Sequence, residues 1–554
     1  MPRIRVVFFF FIAFFIAIVV KLFDVQVLRA SDASRTASLQ YKRLLPERGK
    51  IYDRNMQPMA TNQTKYLFYA EPKNIKDKQS FLEKASKILE VDEASLSARF
   101  DPKKDWISLA SAIPRKTRDA LINAKLPGIG FQDESERYYP EASLAAHLLG
   151  FVGKNDKGDN TGYFGIEGFY DQDLTGLPGV IKMDQDAAGR PILVGNRERI
   201  DSDDGRDLIL TIDKSVQEIA KKKLLDGIEK YKAKEGCVLI ADPKTMEMLA
   251  VSCLPDFDPT KYYEFSQDFF KNPAMSTSYE PGSTFKPLIV AAAIEEKKIK
   301  PDDFYNETGP IDRGGFQIKT WDDKYEGKIT ITRILEKSSN VGMVYIGDKL
   351  GNTHVRDYIY KYGYGEPTGI DLQGEASGVI RPKNQWYPID YATASFGQGI
   401  AVTPIQQIRA FASIINGGEL LEPHLVKAIK AGDKEKEITK KVVRRVVSER
   451  TSAIIRKMLV DTVEHGEYKY AVPEGYKIGG KTGTAQIAVA GHYDPSKTIA
   501  SFIGFAPAED PKFIALVILR QPGTSIYGSE TAAPLFFEIA KELLFYYNIA
   551  PTTP

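Results

Sequence analysis

The spacing of apolar residues changes several times along this chain, and each change predicts a different kind of element. Val6 to Val20 is an unbroken apolar run containing four consecutive phenylalanines, Phe8 to Phe11. Lys21 can snorkel, and Leu22, Phe23, Val25 and Val27 extend the run to about 20 residues, the length that crosses a hydrocarbon layer. Arg3 and Arg5 precede it, so the positive-inside rule places the N-terminus in the cytoplasm and everything after Leu28 outside. A cleaved signal peptide begins similarly, and small residues follow around Ala30 to Ala33. The length of the run, with Lys21 and Asp24 in the approach, favours a retained anchor. No other stretch approaches about 18 apolar residues, so a single pass is expected.

Arg29 to Gln40 is polar and rich in Ala and Ser, which reads as a short stalk or helix. From Arg43 to about Ile200 the pattern is mixed, with short alternating runs, a helical piece at Ser80–Leu89, and many Gly and Pro breaks. Asp201-Ser-Asp-Asp-Gly-Arg-Asp207 is a polar, turn-rich break and predicts a domain boundary. A strand follows at Leu208–Ile212. Asp213 then caps a helix whose apolar face is Val216, Ile219, Ala220, Leu224, Ile228 and Tyr231. A hairpin is expected from Val238–Ala241 and Met248–Val251, helices at Ile331–Glu336, Val341–Leu350 and Pro404–Ile415, and strands at Lys477–Ala485, Ile499–Phe505 and Phe513–Leu519. A helix at Ala533–Leu544 closes the pattern. Strands at both ends and helices between predict an α+β domain whose sheet joins the two ends. The expected division is an anchor over 1–28, an N-terminal domain over 29–205 and a larger domain over 206–554.

Composition narrows the classes. Lys plus Arg number 75 against 73 Asp plus Glu in 554 residues, so net charge offers no case for nucleic acid. Cys237 and Cys253, the only cysteines, match no zinc spacing and fall in the two strands of the predicted hairpin. Two buried thiols are the expected state, since free Cys is commonly buried, with a cross-strand disulfide as the alternative. His147, His354, His424, His465 and His492 are the five histidines, and none stands beside a nucleophile elbow or a metal-spaced partner. A Ser-His-Asp hydrolase and a zinc enzyme are therefore poorly supported.

A lysine is the other way to activate a serine. Ser283-Thr-Phe-Lys286 lies within Glu280-Pro-Gly-Ser-Thr-Phe-Lys-Pro287, where Pro281-Gly282 makes a turn and an apolar helix follows. Pro287 is tolerated in a first turn. Ser283 then stands at a helix N-terminus, whose free N–H groups favour an oxyanion, and Lys286 projects from the same face one turn on. If buried near other cations, that amine can lose its proton and take one from the hydroxyl. Ser338-Ser-Asn340 falls at a break between two helical runs and offers a hydroxyl and an amide. Lys481-Thr-Gly-Thr484 follows Ile478-Gly-Gly480 in a strand, where small residues admit an extended peptide and a lysine with two hydroxyls suits a carboxylate. Each motif alone reads as an N-cap or a turn. All three, in this order and on these elements, point to one site.

Ser283-x-x-Lys286, Ser338-x-Asn340 and Lys481-Thr-Gly483 resemble the three motifs of the penicillin-recognising serine enzymes. Within that group the chain resembles, over nearly its whole length, the class B penicillin-binding proteins, which are monofunctional DD-transpeptidases. Arg48-Gly-Lys-Ile-Tyr-Asp-Arg-Asn55 is similar to their element after the anchor. Tyr138-Tyr-Pro140, Ala145-Ala-His147, Gly150-Phe151 and Gly165-Ile-Glu167 resemble the rest of their pedestal. Leu210-Thr-Ile-Asp213 and Phe396-Gly-Gln-Gly399 are further similar stretches. Glu280–Pro287 and Lys337-Ser-Ser-Asn-Val-Gly342 resemble the division-specific branch most closely.

The resemblance implies a transpeptidase fold over 206–554, an antiparallel sheet with helices and an all-helical subdomain, on an elongated mixed α/β pedestal over 29–205. It implies Ser283 as nucleophile, Lys286 as base, Ser338 as proton relay and Asn340 as the ligand of the substrate amide. Lys481, Thr482, Gly483 and Thr484 are the implied carboxylate-binding strand, and the N–H groups of Ser283 and Thr484 the oxyanion hole. The implied substrates are stem peptides ending in D-Ala-D-Ala, which β-lactams mimic, and the resemblance implies that no metal or organic cofactor is needed. The implied partners are a polytopic membrane glycosyltransferase, other division proteins and the lipid bilayer. Septal synthesis is the expected role, with elongation, spore-wall synthesis, a β-lactam sensor and a β-lactamase as alternatives. The Arg48–Asn55 element is expected to be structural, tying pedestal to catalytic domain.

Overall fold

A computed structural model describes residues 2–24, 39–184, 197–466, 468–489 and 492–551. The chain divides into two compact units, Met1–Gly49 with Thr175–Gly205, and Lys50–Leu174 with Arg206–Pro554. In the first unit, helix Pro2–Phe23 contains the apolar stretch Val6–Phe23, which is exposed throughout. It is the one helix among the described residues long and apolar enough to cross a membrane. Three antiparallel strands, Leu39–Leu44, Gly179–Asp184 and Arg197–Ile200, form a small sheet in that order. The expected stalk at 29–40 lies outside the described residues up to 38, and Leu39 and Gln40 begin a strand.

The second unit contains two larger sheets. One has seven strands and mixes distant parts of the chain: Ile51–Tyr52 runs parallel to Asp207–Leu210 and antiparallel to the long strand Pro58–Ala70. Arg54 N donates to Ile212 O at 2.9 Å, and its guanidinium pairs with Glu247 at 3.2 Å. The fully buried Asp53 accepts from Asn55 N, Gln57 N and Lys214 N. Each group of the Lys50–Asn55 segment named here is spent on backbone or ion-pair contacts within the fold. Asp213 caps helix Lys214–Tyr231, accepting from Ser215 N at 3.1 Å and Val216 N at 3.3 Å, and the predicted apolar face is the one buried.

The other sheet has five antiparallel strands in the order Met248–Leu254, Glu235–Ala241, Phe513–Arg520, His492–Ala506, Gly479–Val489. It joins the two ends of the segment, as the pattern predicts. Side chains alternate between its faces. Val238, Ile240 and Val517 pack under helices Lys214–Tyr231 and Ala532–Tyr546, while Leu239, Leu516 and Ile518 face the helical lobe. Burial on both faces explains why these strands read as continuous apolar runs. Helix Lys286–Glu295 is buried from Lys286 to Ile294, so it is apolar all round and sits at the centre of the lobe.

The two cysteines are not free thiols. Strand pairing sets Cys237 opposite Cys253 with Cα atoms 4.1 Å apart, and they form a disulfide. That separation fits the close, non-hydrogen-bonded pair of an antiparallel ladder. Of the two states the sequence allows, the register selects the less expected one.

Candidate active site

The nucleophile turn is held by backbone. Gly282–Phe285 forms one tight helical turn that runs into helix Lys286–Glu295. Gly282 has φ +55° and donates its N–H to Gly397 O at 3.0 Å. Gly397 has φ +83°, and a Cβ there would lie 2.2 Å from Gly282 O, so only glycine lets Phe396–Gly399 reach the turn. Thr284 Oγ1 donates to Pro281 O at 2.8 Å, and Gln407 Nε2 donates to Thr284 O at 3.1 Å. Ser283, left half-buried, lines an open cleft of about 350 Å³.

Lys286 is fully buried beneath that cleft. Its Nζ lies 2.6 Å from Ser338 O, 2.8 Å from Asn340 Oδ1 and 3.2 Å from Ser338 Oγ. Burial first, and the nearby Lys481 cation second, push its pKa well below the usual lysine range. A neutral amine has two N–H groups and one lone pair. With the N–H groups given to Ser338 O and Asn340 Oδ1, the lone pair is left for a hydroxyl.

Ser338 and Asn340 are placed by a helix corner. Ser338 ends helix Ile331–Lys337 in the left-handed conformation, φ +61°, and Ser339 caps helix Asn340–Leu350 by accepting from Gly342 N at 2.9 Å. Asn340 Nδ2 donates to Lys319 O at 3.1 Å, which turns Oδ1 toward Lys286. Below the corner lies a pair that sequence reasoning missed. Glu307 and Lys337 are each 1% exposed and 2.9 Å apart, and Ser339 Oγ donates to the other Glu307 oxygen. The signal was Lys337 itself, a lysine three residues after the buried Ile334 and so on the helix face that enters the core. Lys337→Met would strand the Glu307 carboxylate in the interior and is expected to cost about 3–5 kcal/mol, read as a lowered thermal midpoint. An unchanged midpoint would show that the pair does not support the corner.

Lys481, Thr482 and Thr484 line the cleft from strand Gly479–Val489, which is an edge of the five-stranded sheet. Lys481 is 1% exposed, with Nζ 3.3 Å from Thr482 Oγ1, and burial pushes its pKa down to about 7. Thr484 Oγ1 accepts from Gly528 N at 3.0 Å. Gly483, expected among the substrate contacts, lies behind the cleft wall. A Cβ there would be 2.4 Å from Ser501 Oγ and 2.9 Å from Thr284 Cγ2, so this glycine lets the strand press against the nucleophile turn. Trp321 and Tyr527 meet edge to face at 5.8 Å on the cleft wall. No histidine lines the cleft among the described residues; His147 is buried elsewhere, with Nε2 2.9 Å from Phe269 O.

A helix-borne serine, a buried lysine of lowered pKa one turn on, a Ser-x-Asn corner and a Lys-Thr-Gly edge strand define the class of penicillin-recognising serine acyltransferases. Comparison with known proteins narrows it. Residues 236–541 match the penicillin binding protein transpeptidase domain, and residues 43–210 match the penicillin-binding protein dimerisation domain. The chain is 35% identical to Stage V sporulation protein D of Bacillus subtilis (strain 168), covering 99% of this chain and 86% of that protein. It is 31% identical to peptidoglycan D,D-transpeptidase FtsI of Escherichia coli (strain K12), covering 93% and 86%. A peptidoglycan synthetase structure from Bifidobacterium adolescentis superposes with TM-score 0.76 at 26% identity, over 93% of this chain and 98% of that one. The fold of penicillin binding protein 2X from Streptococcus thermophilus is shared at TM-score 0.76 and 24% identity, over 93% and 81%. The chain belongs to the penicillin-binding protein transpeptidase family, as a class B member carrying both the dimerisation and the transpeptidase domains.

Proposed function

We propose that this protein is a peptidoglycan DD-transpeptidase that cross-links stem peptides through an acyl-serine on Ser283. The buried Lys286, held by Ser338 O and Asn340 Oδ1 and with its pKa pushed well below the lysine range by burial and by Lys481, is the observation that carries the reading. Its lone pair takes the Ser283 proton as Oγ attacks the penultimate D-Ala carbonyl carbon. The N–H groups of Ser283 and Thr484 receive the oxyanion. As the intermediate collapses, the bond to the terminal D-Ala nitrogen breaks, and the proton passes from Lys286 through Ser338 to that amine. Asn340 holds the substrate amide. Lys481, while protonated, binds the terminal carboxylate with Thr482 and Thr484. An amine of a neighbouring stem peptide then attacks the acyl carbonyl and loses its proton to Lys286, which passes it to Ser283 Oγ as the acyl–oxygen bond breaks. Water in its place gives carboxypeptidase activity, and a β-lactam leaves a long-lived adduct.

We assign 1–28 to the anchor, 29–205 to the pedestal and 206–554 to the catalytic domain, with the N-terminus inside and the catalytic domain outside. The Cys237–Cys253 disulfide suits an oxidising compartment. Strand polymerisation falls to a membrane glycosyltransferase partner, within the division machinery in our first reading, septal synthesis. The 35% identity to a sporulation protein favours spore-wall synthesis as the second. A fluorescent fusion at every division site supports the first, and one confined to developing spores the second.

Mass spectrometry of the full chain mixed with benzylpenicillin tests the chemistry. The expected result is one stable adduct on wild type and none on Ser283→Ala. Rapid adduct loss with hydrolysed drug would turn the case to a β-lactamase, and no adduct would end the proposal.

A further inference from the structure

A second cavity, of about 510 Å³, lies back to back with the catalytic cleft and is not used by the reaction. Its floor is apolar, with Leu254, Phe269, Ile499 and Ile518. Strand alternation explains the arrangement: Thr498 lines the catalytic cleft, and the next residue, Ile499, lines this cavity from the opposite face. The nucleophile segment forms a second shared wall. Tyr279 lines the cavity and Ser283, four residues on, lines the cleft. Tyr279 is pinned at this wall by paired backbone bonds with Val402, at 2.9 and 2.8 Å. Pro404 of the same cavity begins the helix that carries Gln407, whose amide holds Thr284. A molecule seated here would press on both supports of the nucleophile turn.

The cavity wall carries two cations, Arg520 and Lys271, each loosely facing a carboxylate of the same wall, Glu235 and Asp268, and one buried hydroxyl. The Tyr279 hydroxyl is buried without a hydrogen-bond partner. Arg520 at the rim makes one loose contact, 3.5 Å to the half-exposed Glu235, and Lys271 makes one of 3.4 Å to the exposed Asp268. The volume lies within the range of small-molecule sites, which pair an apolar body with a few directed polar groups. From this geometry we propose that the cavity is a regulatory site for a small, mainly apolar molecule carrying one carboxylate, whose occupancy alters the acylation rate of Ser283. The carboxylate lies toward Arg520 and Lys271, and the apolar body fills the floor against Ile499 and Ile518.

The test uses the full chain in detergent and para-trifluoromethylphenylacetate as the probe, read by fluorine NMR against empty micelles. Line broadening is expected with protein, and it persists after Ser283 has been acylated with penicillin. Ile518→Trp fills the cavity and abolishes it. Arg520→Glu, at the exposed rim and therefore informative even if Ile518→Trp does not fold, weakens binding about tenfold. Saturating probe changes the acylation rate of wild type about fivefold or more. Broadening that vanishes on acylation, or that is unchanged in Arg520→Glu, or that leaves the acylation rate unaltered, overturns the proposal. Absence of any penicillin adduct would count against the Ser283 reading instead, and the Arg520→Glu binding result would still decide whether the cavity is a site.

Discussion

Lys286→Met is expected to slow acylation by benzylpenicillin about 1,000-fold while leaving the protein folded. General-base catalysis contributes about 100- to 10,000-fold. Lys481 is also buried, with its pKa pushed down to about 7, but its Nζ is turned to Thr482. A loss of this size corresponds to about 4 kcal/mol of transition-state stabilisation. Methionine matches the lysine stem and removes a group whose charged form the site disfavours. Two acceptors, Ser338 O and Asn340 Oδ1, lose their donor, and these effects oppose each other. The thermal midpoint is therefore expected not to fall. Stopped-flow acylation and a thermal melt together decide the matter. Wild-type kinetics in Lys286→Met would exclude the lysine as base, whereas a lowered midpoint accompanying the lost activity would make its role structural.

The pH dependence of the same reaction supplies the second large effect. The second-order acylation rate reports the free enzyme. It should rise with pH as Lys286 loses its proton, then fall as Lys481 loses its own at about 7, because only the Lys481 cation holds a carboxylate. Lys481→Met removes that cation from beside Lys286, whose pKa then moves up toward the ordinary lysine range. The rising limb should shift to higher pH and the falling limb should disappear. At neutral pH the rate should drop about 100-fold, from the lost carboxylate contact and the more protonated base together. A falling limb that survives in Lys481→Met would assign it to another group. Stability follows the same linkage with the opposite benefit. Both lysines have folded-state pKa values below their unfolded ones, so their burial costs nothing above the ordinary lysine pKa. The cost grows as pH falls from there and is complete below the folded value. Lys481→Met should accordingly melt higher than wild type at neutral pH.

The catalytic segment owes its legibility to local rules. Asp213 and its helix could be read because a capping side chain and a period of 3.6 residues leave their mark within a few turns. The hairpin and the last three strands could be read because each is apolar along its length. The run from Val6 was plain because a membrane span must be continuous. The site was legible as three motifs, since a nucleophile turn, a helix corner and a peptide-binding edge each restrict several adjacent residues. The pedestal was harder. Strand Pro58–Ala70 is interrupted by half-exposed or exposed polar positions from Thr61 to Thr64 and pairs with Ile129–Tyr138, a partner roughly 60 residues away in the chain.

By itself, then, the sequence determined the apolar N-terminal helix, the α+β plan of the larger domain and which side chains would bring chemistry to it. Those features depend on neighbours in the chain. Tertiary structure decided what depends on neighbours in space. It bonded Cys237 to Cys253 through strand register, set Glu307 against Lys337 beneath the helix corner, and moved Gly483 from the cleft to its supporting wall. It also lowered the pKa of Lys286, because an amine loses its proton readily only where water is excluded and another cation is near, and no stretch of adjacent residues encodes either condition.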